Sequence, residues 1–337
     1  MKIAVVGAGA LGSFYGAKLC RAGHEVHFLL RSDYDAVRRD GVWIESAEDS
    51  FHVHPHGART PEEIGPADLV IIGLKTTANH VLPQSLPALT GPHTAVLTLQ
   101  NGLGNEAAVA AVVGAEKTMG GVCFVCLNRI APGRIKHIAH GAVVLGEYGR
   151  APQERTHLVS QAIASAGVSC KVAENLEQAH WEKLVWNIPF NGLGVAGAAG
   201  LDAVLQGRIA PGAELQGCLT TDLLLSHPGW EKLARELMME TIAAARAQGL
   251  DVPESAADHQ IKRTRNMGAY KASTLIDYER GQELELEGLF LEPLRRARQA
   301  GVPCPRLAAL CGVLEQLGRM KQRWSIETRH AQRKTLH

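Results

Sequence analysis

The chain opens with short apolar segments that flank a helical pattern. Residues 2–6 and 25–30 are runs of mainly apolar side chains, whereas residues 10–22 repeat apolar side chains at helical spacing. Glycines separate these segments. Patterns of this kind predict a strand, a helix and a second strand at the start of the chain.

Two later segments are almost entirely apolar, namely residues 67–74 and 94–99. Continuous apolar runs are typical of parallel strands that are buried on both faces of a sheet. The sheet is expected to be partly antiparallel beyond them. Its remaining strands and one helix are predicted at residues 119–127, 134–137, 142–147, 154–166 (the helix) and 169–172.

The pattern after about residue 175 becomes helical, and internal repeats are not evident. Helices are predicted at residues 176–190, 230–247, 272–277 and 305–320. A further helix is predicted to follow residue 277 and to end at residue 300.

Composition narrows the classes of function. The chain has 337 residues, 46% of them hydrophobic and 20% charged, with 35 basic and 34 acidic side chains. This balance favours a globular protein and does not suggest nucleic acid or a membrane surface as a partner. No apolar run reaches the length of about 18 residues that spans a bilayer. Seven scattered cysteines indicate reduced thiols, so we expect a cytoplasmic protein.

The first strand leads directly into the glycine-rich sequence Gly7-Ala8-Gly9-Ala10-Leu11-Gly12. In a strand–loop–helix context this spacing predicts a dinucleotide-binding loop, in which glycines permit a tight turn, a close pyrophosphate and close helix packing. The helix start supplies N–H groups for the phosphates. The candidate cofactor-binding residues of this loop are Gly7, Gly9, Ala10, Leu11 and Gly12.

This loop fixes the predicted fold class. We predict an α/β protein with an N-terminal Rossmann-type doubly wound sheet and an all-helical C-terminal domain. Two domains are predicted. Residues 1–175 form the nucleotide-binding domain, and residues 176–330 form the domain that contains the substrate-binding and catalytic residues.

The second strand ends in Leu30-Arg31-Ser32, where an NAD-binding protein usually has an acid that accepts from the ribose 2′-OH. An arginine and a hydroxyl at this place favour a 2′-phosphate, and so NADPH. The alternative is a solvated Arg31, with Asp33 as the ribose acid of an NAD site.

Polar residues follow two apolar strands, Lys75 after residues 67–74 and Asn101 after residues 94–99. Ligands of open α/β sheets lie beyond the carboxyl ends of the strands. Lys75 and Asn101 are therefore candidate cofactor-binding residues. Alternatively, Lys75 is a solvated helix start and Asn101-Gly102 an ordinary turn.

Residues 181–191 predict a helix that stacks Lys183, Asn187 and Asn191 on one face beside large apolar residues. A cation and two amides on such a face can hold a small oxygenated substrate. The alternative is a surface helix. Pro189 lies inside this helix and predicts a kink that would move Asn191 away from Lys183.

Three alternating histidines, His52, His54 and His56, would share one face of a strand. We interpret them as part of an exposed edge strand, since no carboxylate or cysteine neighbours them, and we predict no metal site.

Taken together, these motifs resemble those of the ketopantoate reductase family. They are the Gly7–Gly12 loop, Leu74-Lys75-Thr76, Gln100-Asn101-Gly102-Leu103-Gly104, Trp181-Glu182-Lys183-Leu184 with Asn187 and Asn191, Ser273-Thr274-Leu275-Ile276-Asp277, and Arg280-Gly281 with Glu285-Leu286-Glu287. The resemblance covers nearly the whole chain. It departs from the family pattern at Pro189, at Leu291, where a glycine is usual, and in a long segment at residues 206–222.

The resemblance implies an active site between the two domains and NADPH-dependent reduction of ketopantoate, on the route to pantothenate and coenzyme A. It further implies that Lys183 is the general acid and that Glu285 lies near it. Asn187, Asn191 and Ser273 would contact the substrate. The departures leave open another bulky 2-keto acid as substrate.

Two other functions remain possible at this stage. A β-hydroxyacid dehydrogenase-like enzyme would share the Lys-xxx-Asn helix but require a Gly-Gly substrate motif after the sheet, and Gly120-Gly121 lies too early for that. A non-catalytic NADP sensor would need neither Lys183 nor Glu285. A homodimer formed through the helical domain is also expected.

Overall fold

The computed structural model describes residues 1–334, and side chains through residue 321. The chain divides into two compact units, Met1–Ala179 and a second that begins at His180. In the described residues, the first unit contains every strand and the second is helical. This is the predicted fold class.

The strands of the first unit form one mixed sheet. They are β1 (Lys2–Val6), β2 (Glu25–Leu29), β3 (Val42–Ser46), β4 (Phe51–Val53), β5 (His56–Ala58), β6 (Leu69–Ile72), β7 (Ala95–Thr98), β8 (Thr118–Ala131), β9 (Arg134–Glu147) and β10 (Cys170–Val172). The strand order is β4-β3-β9-β8-β7-β6-β1-β2-β5, with β10 beside β9. Neighbouring strands are parallel except for the pairs β3–β4 and β8–β9.

Helices cover both faces of the sheet. They are α1 (Ala10–Arg21), α2 (Tyr34–Asp40), α3 (Pro61–Ile64), α4 (Leu82–Leu89), α5 (Asn105–Val113) and α6 (Glu154–Ser165). Alternate residues of β1 point to opposite faces. Ile3 and Val5 join a core with α1, α2 and α6, whereas Ala4 and Val6 join a core with α3, α4 and α5. The apolar strands are therefore buried on both sides, as their sequence predicts.

The sheet must curve, because its two end strands are consecutive in the chain. Only His54 and Pro55 separate β4 from β5. Helix α1 contacts β1 and β2 and also β3, β4, β8 and β9. The sheet thus wraps around α1.

The histidines lie at the edges of the sheet, as predicted, but they do not share one strand, because His52 is in β4 and His56 is in β5. The His56 ring stacks on His27 with centroids 4.6 Å apart, whereas the His52 ring meets His54 edge-on at 4.5 Å. Pro55 has no N–H to donate to a strand ladder, and the chain changes from one edge of the sheet to the other at this point.

The hairpin of β8 and β9 is longer than the sequence indicated. The two segments predicted at 134–137 and 142–147 are one strand, β9. The β8–β9 ladder shifts register beside Phe124, Cys126 and Arg129. Such bulges bend a strand pair and increase its twist, which interrupts the regular alternation that a sequence pattern reveals.

The hairpin is tied to α6 by a buried carboxylate. Glu147, at the end of β9, accepts hydrogen bonds from Arg155 at 2.5 and 2.9 Å, from Arg150 at 3.0 Å and from the Thr156 hydroxyl at 2.6 Å. Burial by itself would raise the pKa of Glu147, but Arg155 and Thr156 outweigh it and hold the pKa below the usual value. The ion cluster therefore stabilises the charged form.

The second unit consists of packed helices. They are α7 (Leu176–Ala196), which starts four residues before the unit does, α8 (Leu201–Gln206), α9 (Thr221–Ser226), α10 (Pro228–Ala247), α11 (Ser255–Arg265), α12 (Ser273–Glu279), α13 (Glu292–Gln299) and α14 (Pro305–Lys334). Fully buried aromatic side chains, Trp181, Phe190 and Phe290, contribute to its interior. None of the helices in the described part of the chain has the length and apolar character needed to cross a bilayer.

The helices of the second unit differ from the prediction in several places, and α8 and α9 were not predicted. Helix α11 was not predicted, because only Ala257, Ile261 and Thr264 of its eleven residues are buried, a stripe too narrow to stand out in a polar sequence. The helix expected up to residue 300 begins later, after a loop. It starts with a π-helical turn, Glu287–Leu291, and continues as α13.

The N-terminus of α14 is capped by a side chain from another helix. The Glu240 carboxylate of α10 accepts from the backbone N–H groups of Arg306 at 2.9 Å and Leu307 at 2.8 Å. Burial raises the pKa of Glu240 above its usual value despite these bonds. Glu240 thus differs from Glu147, where two arginines favour the charged form.

Candidate functional site

Four of the parallel strands present their carboxyl ends at the same edge of the sheet. They are adjacent in the order β7-β6-β1-β2. The Gly7–Gly12 loop follows β1, Arg31 follows β2, Lys75 follows β6 and Asn101 follows β7. The topology therefore places the candidate cofactor residues along one edge, where ligands of open α/β sheets bind.

Two glycines of the loop are required by close packing. Gly7 has a positive φ of 96°, and a methyl group on it would lie 2.5 Å from the backbone nitrogen of Leu74. A methyl group on Gly12 would lie 2.2 Å from the Gly7 carbonyl oxygen. The loop is therefore held against the residue that precedes Lys75, and neither position accepts a side chain without movement.

Gly9 differs from both. Among the residues that the structure describes, a methyl group on Gly9 would meet no atom within 4 Å beyond its own turn. Gly9 is the N-cap of α1, and the first turn of this helix contains no acidic side chain. The N–H groups of Ala10, Leu11 and Gly12 thus begin a helix beside open space. This arrangement fits a pyrophosphate at the positive end of the helix dipole.

The segment after β2 contains an ion pair that bears on the choice of nucleotide. Arg31 and Ser32 are exposed, whereas Asp33 is buried. The Asp33 carboxylate accepts from Arg129 Nη2 at 2.5 Å and Nε at 3.2 Å, and from the Ser32 hydroxyl at 2.9 Å. Burial acts to raise the pKa of Asp33, but Arg129 and Ser32 outweigh it and lower the pKa. The carboxylate that an NAD site would use is therefore already bound to a guanidinium.

Side-chain amides form a chain of hydrogen bonds beyond β7. The Thr98 hydroxyl donates to the side-chain oxygen Oε1 of Gln100 at 3.0 Å, and Gln100 Nε2 donates to Asn79 Oδ1 at 2.6 Å. Asn79 donates to Asn105 at 3.3 Å, and Asn105 donates to the backbone carbonyl of Asn101 at 3.0 Å. The chain fixes the loop that presents Asn101. Sequence reasoning missed Asn79 and Asn105, although a buried glutamine at the end of an apolar strand was a signal of such a network.

The exposure of the two strand-end candidates differs. Lys75 is exposed and precedes a 3₁₀ helix, Thr76–Val81, whereas Asn101 is half-buried. Lys75 is thus positioned as a cation at the rim of this edge, and Asn101 as an amide held further inside.

In the second unit, α7 carries the predicted polar face. Lys183 is half-buried, while Asn187 and Asn191 are only 5% and 2% exposed. Pro189 does not end the helix, which continues to Ala196. The kink that would move Asn191 away from Lys183 stays a prediction.

Asn191 is engaged by the start of α12. Its side-chain oxygen accepts from the Ser273 hydroxyl at 3.2 Å, the Thr274 N–H at 3.1 Å and the Thr274 hydroxyl at 3.0 Å. The structure therefore brings together two predicted substrate-binding residues, Asn191 and Ser273. It also gives the Asn191 oxygen a role in capping α12, so that only its amide N–H groups remain for a ligand.

Glu285 is half-buried and lies in the loop just before the π-helical turn. Leu291, at the position where the family pattern has glycine, is the last residue of this turn. π-Helical turns occur frequently at functional sites. The turn sets the direction in which the chain leaves Glu285 for α13.

The Gly-Gly pair required by the β-hydroxyacid dehydrogenase alternative has a packing role. Gly120 and Gly121 are buried in β8. A methyl group on Gly120 would lie 2.3 Å from Glu106 Oε1, and one on Gly121 would lie 2.6 Å from Leu99. These glycines let side chains pack tightly on the sheet and do not form a substrate loop.

Family models match both parts of the chain. The model described as ketopantoate reductase PanE/ApbA matches residues 3–150, and the model of the C-terminal part of the same family matches residues 207–318. A 2-dehydropantoate 2-reductase from Nostoc sp. is 37% identical over 92% of this chain and 92% of its own length.

Solved structures of 2-dehydropantoate 2-reductases resemble this chain as well. The 2-dehydropantoate 2-reductase from Geobacter metallireducens GS-15 is 42% identical, with a TM-score of 0.84 over 94% of this chain and 99% of that one. The enzyme from Methylococcus capsulatus is 31% identical, with a TM-score of 0.82 over 95% and 98% of the two chains. On these matches, together with the motifs and the fold, the chain belongs to the ketopantoate reductase family.

Proposed function

We propose that this protein reduces the 2-keto group of 2-dehydropantoate to pantoate with NADPH, a step on the route to pantothenate and coenzyme A. The observation that carries the proposal is the similarity to 2-dehydropantoate 2-reductases over 92% of the chain. A relative of this identity over nearly its full length shares both the nucleotide-binding part and the helical part.

The proposed cofactor residues are those of the sheet edge. The loop that binds the pyrophosphate consists of Gly7, Gly9, Ala10, Leu11 and Gly12. The open space at Gly9 supports this assignment. Arg31 contacts the 2′-phosphate, and Lys75 and Asn101 hold the part of the cofactor nearer the reaction. When bound, NADPH supplies the hydride.

Lys183 is the proposed general acid and Glu285 its partner. Addition of a hydride to a ketone develops negative charge on the oxygen, which requires a donor that is already in position. Lys183 would give its proton to this oxygen, and Glu285 would hold the ammonium in place. The support is that both side chains are half-buried within the helical unit, one on α7 and one in the loop just before the π-helical turn.

The proposed substrate contacts are Asn187, Asn191 and Ser273. Asn187 lies one helical turn after Lys183 and is almost fully buried, so its amide is fixed by packing. Asn191 acts through its N–H groups, and it also holds Ser273 through their hydrogen bond.

The remaining parts of the proposal concern organisation. We assign cofactor binding to the domain 1–175 and the substrate and catalytic groups to the domain 176–330. A cytoplasmic location is supported by the seven cysteines, none of which forms a disulfide within the described residues. A homodimer is supported by exposed leucines of the helical unit, at Leu205, Leu215 and Leu223, and sedimentation of the purified protein tests it.

The deciding experiment follows the loss of NADPH absorbance with 2-dehydropantoate and with a panel of other branched and unbranched 2-keto acids. We expect the largest kcat/KM for 2-dehydropantoate. A larger value for another bulky 2-keto acid would move the substrate within the same reaction class. Tight binding of NADPH without turnover of any substrate would indicate a sensor, and NADP⁺-dependent oxidation of 3-hydroxy acids a β-hydroxyacid dehydrogenase.

A further inference from the structure

Arg129 reaches the segment that follows β2 from a distant part of the chain. It lies near the end of β8, 96 residues from Asp33, and binds the Asp33 carboxylate through two nitrogens. The Asp33 side chain is 9% exposed, whereas that of Arg129 is 40% exposed. The edge of the guanidinium formed by Nε and Nη2 therefore binds Asp33, while part of the group remains accessible to solvent.

The location of this ion pair bears on how the protein recognises the 2′ position of the nucleotide ribose. Asp33 immediately follows Arg31 and Ser32, at the place where ribose-recognising acids of Rossmann-type sites occur. A bare carboxylate there would accept from a ribose 2′-OH and would repel a 2′-phosphate. With Arg129 and Ser32 bound to it, the charge of the carboxylate is balanced and both of its oxygens already accept hydrogen bonds.

We propose that Arg129 is a specificity-determining residue for the cofactor, which suppresses the ribose-binding capacity of Asp33 and extends the positive surface of Arg31 towards a 2′-phosphate. The inference rests on the proposed use of NADPH. It assigns the preference to a pair of residues from two distant segments as well as to Arg31.

A purely structural role would be to fix the hairpin, but other contacts already do so. The hairpin strand β9 pairs with β3 from Arg134 to His137. The backbone N–H of Trp43 donates to the Gly133 carbonyl at 2.8 Å, and Arg134 forms an ion pair with Glu45 at 2.6 Å. Loss of Arg129 therefore leaves the hairpin attached to the sheet, and the effect on the cofactor can be measured separately.

The experiment measures dissociation constants of NADPH and NADH by tryptophan fluorescence for the parent and for Arg129→Met. Loss of a charge-assisted contact is worth about 1.5–3 kcal/mol, so the NADPH dissociation constant should rise roughly 10- to 100-fold. The NADH dissociation constant should stay constant or fall, because Asp33 becomes available to the ribose. Arg129→Lys, which keeps the charge, should retain most of the preference.

Two further variants test the mechanism. Asp33→Asn in the Arg129→Met background removes the uncompensated charge and should restore much of the NADPH affinity. Arg134→Met removes an arginine from the same hairpin and is the matched control, which should leave the ratio of the two constants unchanged.

The outcomes are distinct. Equal weakening of NADPH and NADH by Arg129→Met, or no change in either, overturns the inference, as does failure of Asp33→Asn to restore binding. These measurements involve only cofactor binding. A parent protein that prefers NADPH but does not reduce 2-dehydropantoate would therefore contradict the proposed function and leave the inference standing.

Discussion

The nucleotide-binding edge of the sheet and the polar face of α7 differ in the kind of chemical group that forms them. At the sheet edge the main features are backbone: glycines at Gly7, Gly9 and Gly12, and the N–H groups that begin α1. On α7 the features are side chains, namely Lys183, Asn187 and Asn191, and the last of these is held by residues of α12.

This difference determines how each region responds to change. A backbone site needs the absence of side chains, so it fails when atoms are added. A side-chain site needs particular groups, so it fails when atoms are removed. Substitutions of the two kinds should therefore separate cofactor binding from the chemical step.

The largest effect is expected on the chemical step. Lys183→Ala should lower kcat by ~10²–10⁴-fold, the usual contribution of a positioned acid or base. NADPH affinity should hardly change, because the glycine loop lies in the other unit. Lys232→Ala, which removes an exposed lysine of α10, is the matched control. A kcat for Lys183→Ala close to that of the control would contradict the role of general acid.

Adding atoms to the loop should have the next largest effect. Gly9→Val places a side chain in the open space and should weaken NADPH by roughly 100-fold or more, because two or more charge-assisted bonds of about 1.5 kcal/mol are lost. The melting temperature should remain near that of the parent, since Gly9 has room and an ordinary φ of −75°.

Gly12→Ala provides the contrast, because its methyl group would meet the Gly7 carbonyl oxygen. We expect it to lower the melting temperature of the protein. If Gly9→Val lowered it equally without affecting NADPH, the assignment of the open space to a phosphate would be wrong.

Glu147, which is buried, and Glu240, which is half-buried, should contribute differently to stability. Glu147→Gln should reduce the free energy of unfolding by about 2–3 kcal/mol at pH 7, since it leaves two arginines without a buried counter-charge. Glu240→Gln should cost less, about 1 kcal/mol, because one side-chain oxygen still accepts from one of the two N–H groups of α14, which now bind different oxygens, and because burial already disfavours the charge.

The pH dependence follows from the lowered pKa of Glu147. Its stabilising contribution is present above the ordinary glutamate pKa of about 4.3 and is lost as the pH falls through the lower pKa of the folded protein. The difference between parent and Glu147→Gln in urea unfolding should therefore shrink below about pH 4. A difference that is independent of pH would show that the glutamate charge is not its source.

The smallest effects should separate the two asparagines of α7. Asn191→Ala leaves three donors of Ser273 and Thr274 without their acceptor and should destabilise the protein by about 1–2 kcal/mol. Asn187→Ala should mainly raise KM, because it removes binding shared by the ground and transition states. Thermal unfolding and initial-rate kinetics of both variants test this, and an interchange of the two phenotypes would contradict the assignment.

The sequence was most informative where function requires a backbone geometry. Only glycine accommodates the φ of Gly7 and the approach of Gly12 to Gly7, so the spacing alone predicted the loop and its helix. The apolar strands were similarly clear, because burial on both faces leaves them almost without polar residues. The order of these and the later motifs along the chain then indicated the family.

Features that depend on distant partners were not visible. The charge of Asp33 is balanced by a residue 96 positions away, and the amide chain from Gln100 reaches Asn79 and Asn105 through folding alone. Likewise the three histidines alternate as on one strand, yet the break at Pro55 sends them to opposite edges.

The sequence by itself therefore determined the apolar strands β1, β2, β6 and β7, the nucleotide loop and the candidate Lys183 helix, since local spacing and the demands of burial encode them. The tertiary structure decided which polar groups those residues meet: Arg129 at Asp33, Ser273 and Thr274 at Asn191, and two arginines at Glu147. The physical reason is that helix and strand periodicities are properties of neighbouring residues, whereas a hydrogen bond or ion pair between distant segments exists only once the sheet has curved and the helices have packed.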